Sequence, residues 1–162
     1  MRSTITILIL CLFPAPVYAN VKPAGIFNHH MVLQRDMAVP VWGTASPGET
    51  VVVSIANRKA KTTAGKDGRW SVRLEALTDV GPFELTVAGR NTVTIKDVLV
   101  GEVWVCSGQS NMAMKLAKAE GGPEAATAAQ DTKLRRFAVR GAVPATPATN
   151  ISGRWQQADG GH

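Results

Sequence analysis

The sequence predicts a mixed fold: an antiparallel β-sandwich-like domain over residues 20–96, then a strand that breaks through a tight turn into a helix. Two observations carry this prediction. From Val39 to Val98 apolar residues recur at every second position between turn signals. From Gly101 to Met112 a short apolar run of strand type ends in Ser107-Gly108, after which Met112, Met114 and Leu116 open a helical pattern. The 162 residues correspond to about one domain of ordinary size.

The first 19 residues read as a secretory signal. Arg2 is the charged start, Ile5 through Phe13 the apolar core, and Val17-Tyr18-Ala19 a small-residue cleavage site. The apolar run is about half of the ~20 residues that a membrane span needs, and Pro14 and Pro16 end it, so export is expected rather than anchoring. A secreted or periplasmic location is the consequence. Cys11 falls inside the signal without a small residue before it, which argues against lipid attachment there. Cys106 then stands alone, no internal disulfide is available, and the fold must rest on core burial.

Within the β region, Trp70, Val72 and Leu74 alternate with Arg69, Ser71 and Arg73, which places the three apolar side chains on one face. Val51, Val53 and Ile55 repeat the pattern, as do Phe83, Leu85 and Val87, and then Val93 and Ile95. Turn signals stand at Pro47-Gly48, Asp67-Gly68 and Gly81-Pro82. Five or six short strands result, and a sandwich is their natural packing because each sheet has one apolar face to cover. Roughly 75 residues make a small core, so this domain is expected to lean on the neighbouring C-terminal part of the chain.

Charge is modest, at +6, and dispersed. The small clusters Arg58-Lys59-Ala60-Lys61 and Lys133-Leu134-Arg135-Arg136 lack interleaved aromatic residues, so they read as solvated faces and not as a nucleic-acid groove. No His or Cys cluster has metal-ligand spacing, so neither a metal nor another cofactor is expected.

The strand-to-helix turn is where chemistry is expected. A serine at position 110 sits at the helix start, beside backbone N–H groups that have no partner within the helix and carry partial positive charge. Such groups can stabilise an oxyanion, although Ser110 or Asn111 as a plain N-cap is the alternative reading. Cys106, in the apolar run Val103-Trp104-Val105-Cys106, is expected to be buried and inert. Met112 and Leu116 should share a helix face that ends at Gly121-Gly122-Pro123. Residues 124–130 should form a second helix with Pro123 at its first position, and Leu134 to Val139 a further strand. The stretch from Ala142 to Trp155, rich in proline and threonine, reads as a surface loop or linker containing a sequon at Asn150.

The block from Asp97 through Val100, with the adjoining Gly101 to Met112, resembles the nucleophile segment of the sialate O-acetylesterase family, a group of SGNH-like carbohydrate esterases. Phe27 to Arg35, Pro40 to Gly43, Pro47 to Glu49 and Asp67 to Trp70 resemble that family's N-terminal β-domain in the same order. The resemblance implies a small β-domain ahead of an α/β/α hydrolase domain, of which residues 97–162 are the beginning. The chain therefore reads as an N-terminal, truncated fragment. It also implies that Ser110 is the nucleophile and that its own N–H is part of the oxyanion hole, with Gln109 and Asn111 shaping the turn. The family's catalytic histidine lies in a late segment that has no counterpart here.

Three histidines are present. His29 and His30 precede the first clear strand, where a packing or surface role is expected. His162 stands in an Asp159-Gly160-Gly161-His162 spacing, which is taken as coincidence at a frayed terminus. The function expected from the resemblance is removal of acetyl esters from sialic acids. Deacetylation of xylan or another polysaccharide, and a non-catalytic β-module that binds glycan or merely packs, remain alternatives. An O-acetylated sugar is the expected partner, with no nucleic acid and no membrane; the oligomeric state stays open.

Overall fold

The computed structural model describes residues 20–140, 148 and 150–159. The expected signal, most of the proline- and threonine-rich stretch and His162 lie outside these residues.

The chain is mostly β. Strands β1 (Lys22–Pro23), β3 (Val39–Thr44) and β6 (Arg69–Leu74) form a three-stranded sheet in the order β1-β3-β6. Strands β2 (Val32–Gln34), β4 (Thr50–Ile55), β5 (Arg58–Thr63), β7 (Phe83–Ala88) and β8 (Thr92–Gly101) form a five-stranded sheet in the order β2-β8-β7-β4-β5. Pairing is antiparallel throughout these sheets except between β2 and β8, which run parallel with Val32 opposite Leu99.

The period-two pattern places the core as expected. Val51, Val53 and Ile55 of β4, Leu85 and Val87 of β7, and Trp70, Val72 and Leu74 of β6 are all buried in one cluster between the sheets. The β4–β5 hairpin turns on two residues, and Ala56 takes the left-handed conformation that such a turn requires. The basic run 58–61 proves to be β5, an edge strand whose lysines discourage further strand pairing. At the Asp67-Gly68 turn, Gly68 has φ +74°, and a Cβ there would press on the Ala45 carbonyl that its turn faces.

Glu49 is buried and ties two loops together. Its carboxylate accepts the Ser46 N–H at 3.0 Å and the Arg90 N–H at 2.7 Å. The Arg90 backbone N–H, acting against the burial that would raise it, holds the carboxyl below the usual carboxylate range. Beyond the sheets come two short 3-10 turns, Ser110–Ala113 and Leu116–Lys118, and helix α1 (Gly122–Ala128), with proline in its first turn as expected. Strands β9 (Gln130–Arg140) and β10 (Ser152–Asp159) then pair as an antiparallel ribbon.

This ribbon is seated on the sandwich. Trp155 of β10 belongs to the buried cluster, donates its indole N–H to the Ile26 carbonyl at 2.8 Å, and meets the Phe137 ring of β9 at 5.4 Å with the two planes tilted by 57°.

Four expectations are corrected. Val103–Cys106 is not a buried strand: regular structure stops at Gly101, and Trp104 and Val105 are 82% and 93% exposed. A run apolar on both faces becomes a strand only when neighbours cover both faces and pair its backbone, and no described strand lies beside it. Cys106 is exposed for the same reason. The helix expected from Met112 shrinks to the two 3-10 turns, since Met112 and Leu116 find no apolar surface to rest on and so short a helix is unstable alone. The stretch ending at Trp155, expected to be a loop, already enters β10 at Ser152. Its strand residues Arg154 and Trp155 pair with Ala138 and Phe137.

Replacement of Glu49 by alanine leaves two backbone donors without their acceptor and should cost about 1–3 kcal/mol for each in urea unfolding. Because its folded pKa is lowered, the Glu49 contribution is complete above the ordinary carboxylate range and is lost as pH falls through the lowered value. The stability difference between wild type and Glu49→Ala should therefore narrow in acid.

Candidate active site

Ser110 opens the first 3-10 turn. Gln109 before it is extended (φ −98°, ψ −160°), and the first bond of the turn runs from the Met112 N–H to the Gln109 carbonyl at 2.9 Å. The Ser110 and Asn111 N–H groups thus precede the first bond of the turn, as at any helix start. The serine is exposed, and among the described residues no acid or imidazole hydrogen-bonds its hydroxyl. Gly108 lets the turn close: a Cβ there would stand 3.0 Å from the Met112 side chain.

The segment leading to Ser110 is held at its root by the residues after β2. Gln34 accepts the Val103 N–H at 2.8 Å and donates to the Glu102 carboxylate at 3.1 Å. The Arg35 N–H bonds the Gly101 carbonyl at 3.0 Å. Parallel pairing of β2 with β8 makes this possible, because it brings both strand ends to the same edge. Past this clasp, residues 103–106 overhang two clefts. One, of about 590 Å³, is lined by Trp104 and Cys106 together with Arg135, Phe137 and Trp155. The other, of about 530 Å³, is mainly apolar and runs from Trp104 and Val105 to Met37 and Trp42.

Behind the first cleft a cluster centres on Asp97. His30 Nδ1 donates to its Oδ2 at 2.6 Å, so the His30 ring carries a proton at Nδ1. Arg135 donates from both terminal nitrogens, at 3.0 and 3.3 Å, and Gln157 donates at 3.2 Å. Burial alone would raise the Asp97 carboxyl; the bonds from His30 and Arg135, the Arg135 charge and Gln157 outweigh it and hold the group below its ordinary range. His30 and Asp97 both take left-handed backbone conformations, φ 67° and 56°. Neighbouring His29 has the opposite role, for its Nδ1 accepts the Lys96 N–H at 3.0 Å and the ring proton of its neutral form rests on Nε2. Both rings are therefore engaged with the 96–97 stretch of β8.

Of the residues singled out by sequence, Ser110, Gln109 and Asn111 lie together in one exposed turn, whereas His162 is outside the described residues. Asp97, Arg135, Gln157 and Gln34 were missed as positioning groups. Gln34 carried a signal, since it sits in the block matching the family's β-domain. Arg135 and Gln157 carried none, being 38 and 60 residues from Asp97 along the chain. Among the described residues no group of three or more His, Cys, Asp or Glu side chains could hold a metal ion, and no helix is long and apolar enough to cross a membrane.

Removing the Asp97 carboxylate strands the Arg135 charge, whose side chain is 3% exposed. Asp97→Ala should cost about 3–5 kcal/mol, and Asp97→Ala with Arg135→Met should recover much of that loss, measured as a double-mutant cycle in urea. Since the Asp97 folded pKa is lowered, its contribution is present above the ordinary aspartate range and lost as pH falls through the folded value. Exchange of β9 and β10 amides should accelerate in that acid window before exchange in β4.

No family model matches the chain. Sequence comparison finds human sialate O-acetylesterase, 38% identical over 103 residues, which are 56% of this chain and 20% of that protein. The mouse sialate O-acetylesterase is 35% identical over 107 residues, 59% of this chain and 20% of that protein. The chain thus spans about a fifth of the length of the curated relatives it matches. Among solved structures, a carbohydrate acetylesterase of Xanthomonas citri superposes with a TM-score of 0.82 at 38% identity, covering 86% of this chain and 33% of that one. Over the stretch that it shares with these proteins, the chain belongs to a sialate O-acetylesterase-like family.

Proposed function

We propose that this chain is part of an exported carbohydrate O-acetylesterase in which Ser110 is the nucleophile and O-acetylated sialic acids are the favoured substrates. The observation that carries the proposal is the exposed Ser110 hydroxyl at the start of a turn, within a segment that resembles the family's nucleophile segment. Kinship supports the substrate class: the curated relatives are named for sialate esters, and the Xanthomonas protein for carbohydrate acetyl esters more broadly. Export rests on the signal pattern of residues 1–19.

In this mechanism Ser110 Oγ attacks the acetyl carbonyl carbon while a base takes the hydroxyl proton. The oxyanion receives the Ser110 N–H, the C–O bond to the sugar breaks, and the sugar alcohol leaves with the proton. Water then attacks the acetyl-serine, releasing acetate and restoring the hydroxyl. No described residue is placed to act as the base, so the proposal seeks it outside them. Past Gly101, where β8 of the sandwich ends, the chain is read as the start of an α/β/α SGNH-like hydrolase domain. The composition of Val103–Cys106 supports this, being that of a strand covered on both faces.

The test is acetate release from an O-acetylated sialic acid and from acetylated xylan by the protein containing this chain, and by its Ser110→Ala variant. The variant should retain its circular dichroism spectrum and lose about 10⁴-fold or more in kcat. Retained turnover rejects Ser110 as nucleophile, and a clear preference for xylan rejects the sialate reading.

A further inference from the structure

A third cleft lies away from Ser110, over the three-stranded sheet β1-β3-β6. It encloses about 600 Å³ and is lined by Trp42 and Trp70 together with Lys22, Arg69, Thr44 and Ser71. Side chains alternate along β3 and β6, so Trp42, Thr44, Arg69 and Ser71 share the outer face while Trp70 points inward. Gly43, opposite Trp70, keeps the sheet thin here, since a Cβ would collide with the Lys22 carbonyl and the Trp70 ring.

Two features of this cleft point to one ligand chemistry. Trp42 is partly exposed, and its ring is fixed by an edge-on contact with Phe27 at 4.7 Å, which makes a rigid apolar surface. Two hydroxyls and two cations surround it. Arg69 makes a long 3.7 Å contact with Asp67 and keeps 67% of its side chain exposed.

From this arrangement we infer that the β-domain carries a non-catalytic subsite for an acidic sugar. The apolar face of the ring lies on Trp42, its hydroxyls meet Thr44 and Ser71, and its carboxylate meets Lys22 and Arg69. The inference is independent of Ser110 and of any turnover.

The test is a titration of the ¹⁵N-labelled chain with 3′-sialyllactose, followed by NMR, with lactose as the neutral control. Saturable shifts of the Trp42 and Trp70 indole N–H and of the Gly43 and Ser71 amides are expected with sialyllactose, and much weaker ones with lactose. The exposed double substitution Lys22→Gln, Arg69→Gln should leave the spectrum folded and weaken binding about tenfold, as loss of a charge-assisted hydrogen bond would. Ser71→Tyr, which fills the cleft from the exposed face, should abolish the shifts. An equal response to lactose, unchanged affinity in the double variant, or shifts confined to the Trp104 indole beside the candidate active site would overturn the inference.

Discussion

The carboxylate of Asp97 is the joint on which the arrangement turns. It receives donors from three places: the turn before β2, strand β9 and strand β10. The left-handed backbone at both His30 and Asp97 is the local cost of turning these side chains toward each other. Trp155 supplies the matching apolar anchor, buried in the core cluster with its indole N–H satisfied by Ile26. The division of labour is physical. Burial of a large aromatic ring provides most of the attraction, while the directional bonds at Asp97 select one orientation of the ribbon among many that would bury the ring.

That orientation shapes the surroundings of Ser110. Arg135 is drawn to Asp97 and at the same time forms one wall of the cleft beneath Trp104. On the other side, Gln34 and Arg35 bind the chain as it leaves β8. The block from Phe27 to Arg35 therefore supports the candidate site without touching Ser110: Phe27 packs on Trp42, Met31 and Leu33 enter the core, His30 meets Asp97 and Gln34 anchors the root of the motif segment. Beyond that root the segment carries its apolar side chains in the open, Trp104 and Val105 above all. Ser110 is thus offered from a well-anchored base by a poorly sheltered arm.

Buried charge elsewhere in the molecule obeys the same logic as at Asp97. Glu49 is tolerated inside because two backbone N–H groups from separate loops converge on it. Nearby Asn91 pairs with both the N–H and the carbonyl of Val21, so the turn between β7 and β8 also fixes the entry to β1. The edges of the sandwich are closed by such polar clasps, and its centre by the alternating valines and leucines.

Much of this could be read directly from residue order. Period-two alternation is a local property of a strand with one covered face, and it located β4, β6 and β7 and their core side chains correctly. Pro123 likewise marked the start of α1 from local stereochemistry alone. The Ser110 segment was legible as a motif. Its conformation was not, because Val103 to Cys106 is strand-like only in composition, and whether it pairs depends on neighbours that residue order does not name. Trp155, at the end of a stretch that resembles a linker, becomes a core residue only because Phe137 and Ile26 are brought beside it. Local pattern thus specified which faces must be covered, since a side chain's polarity and spacing belong to the chain itself. Tertiary packing decided which segment covers them and where Asp97, Arg135 and Glu49 find partners, since those contacts exist only between residues far apart in sequence.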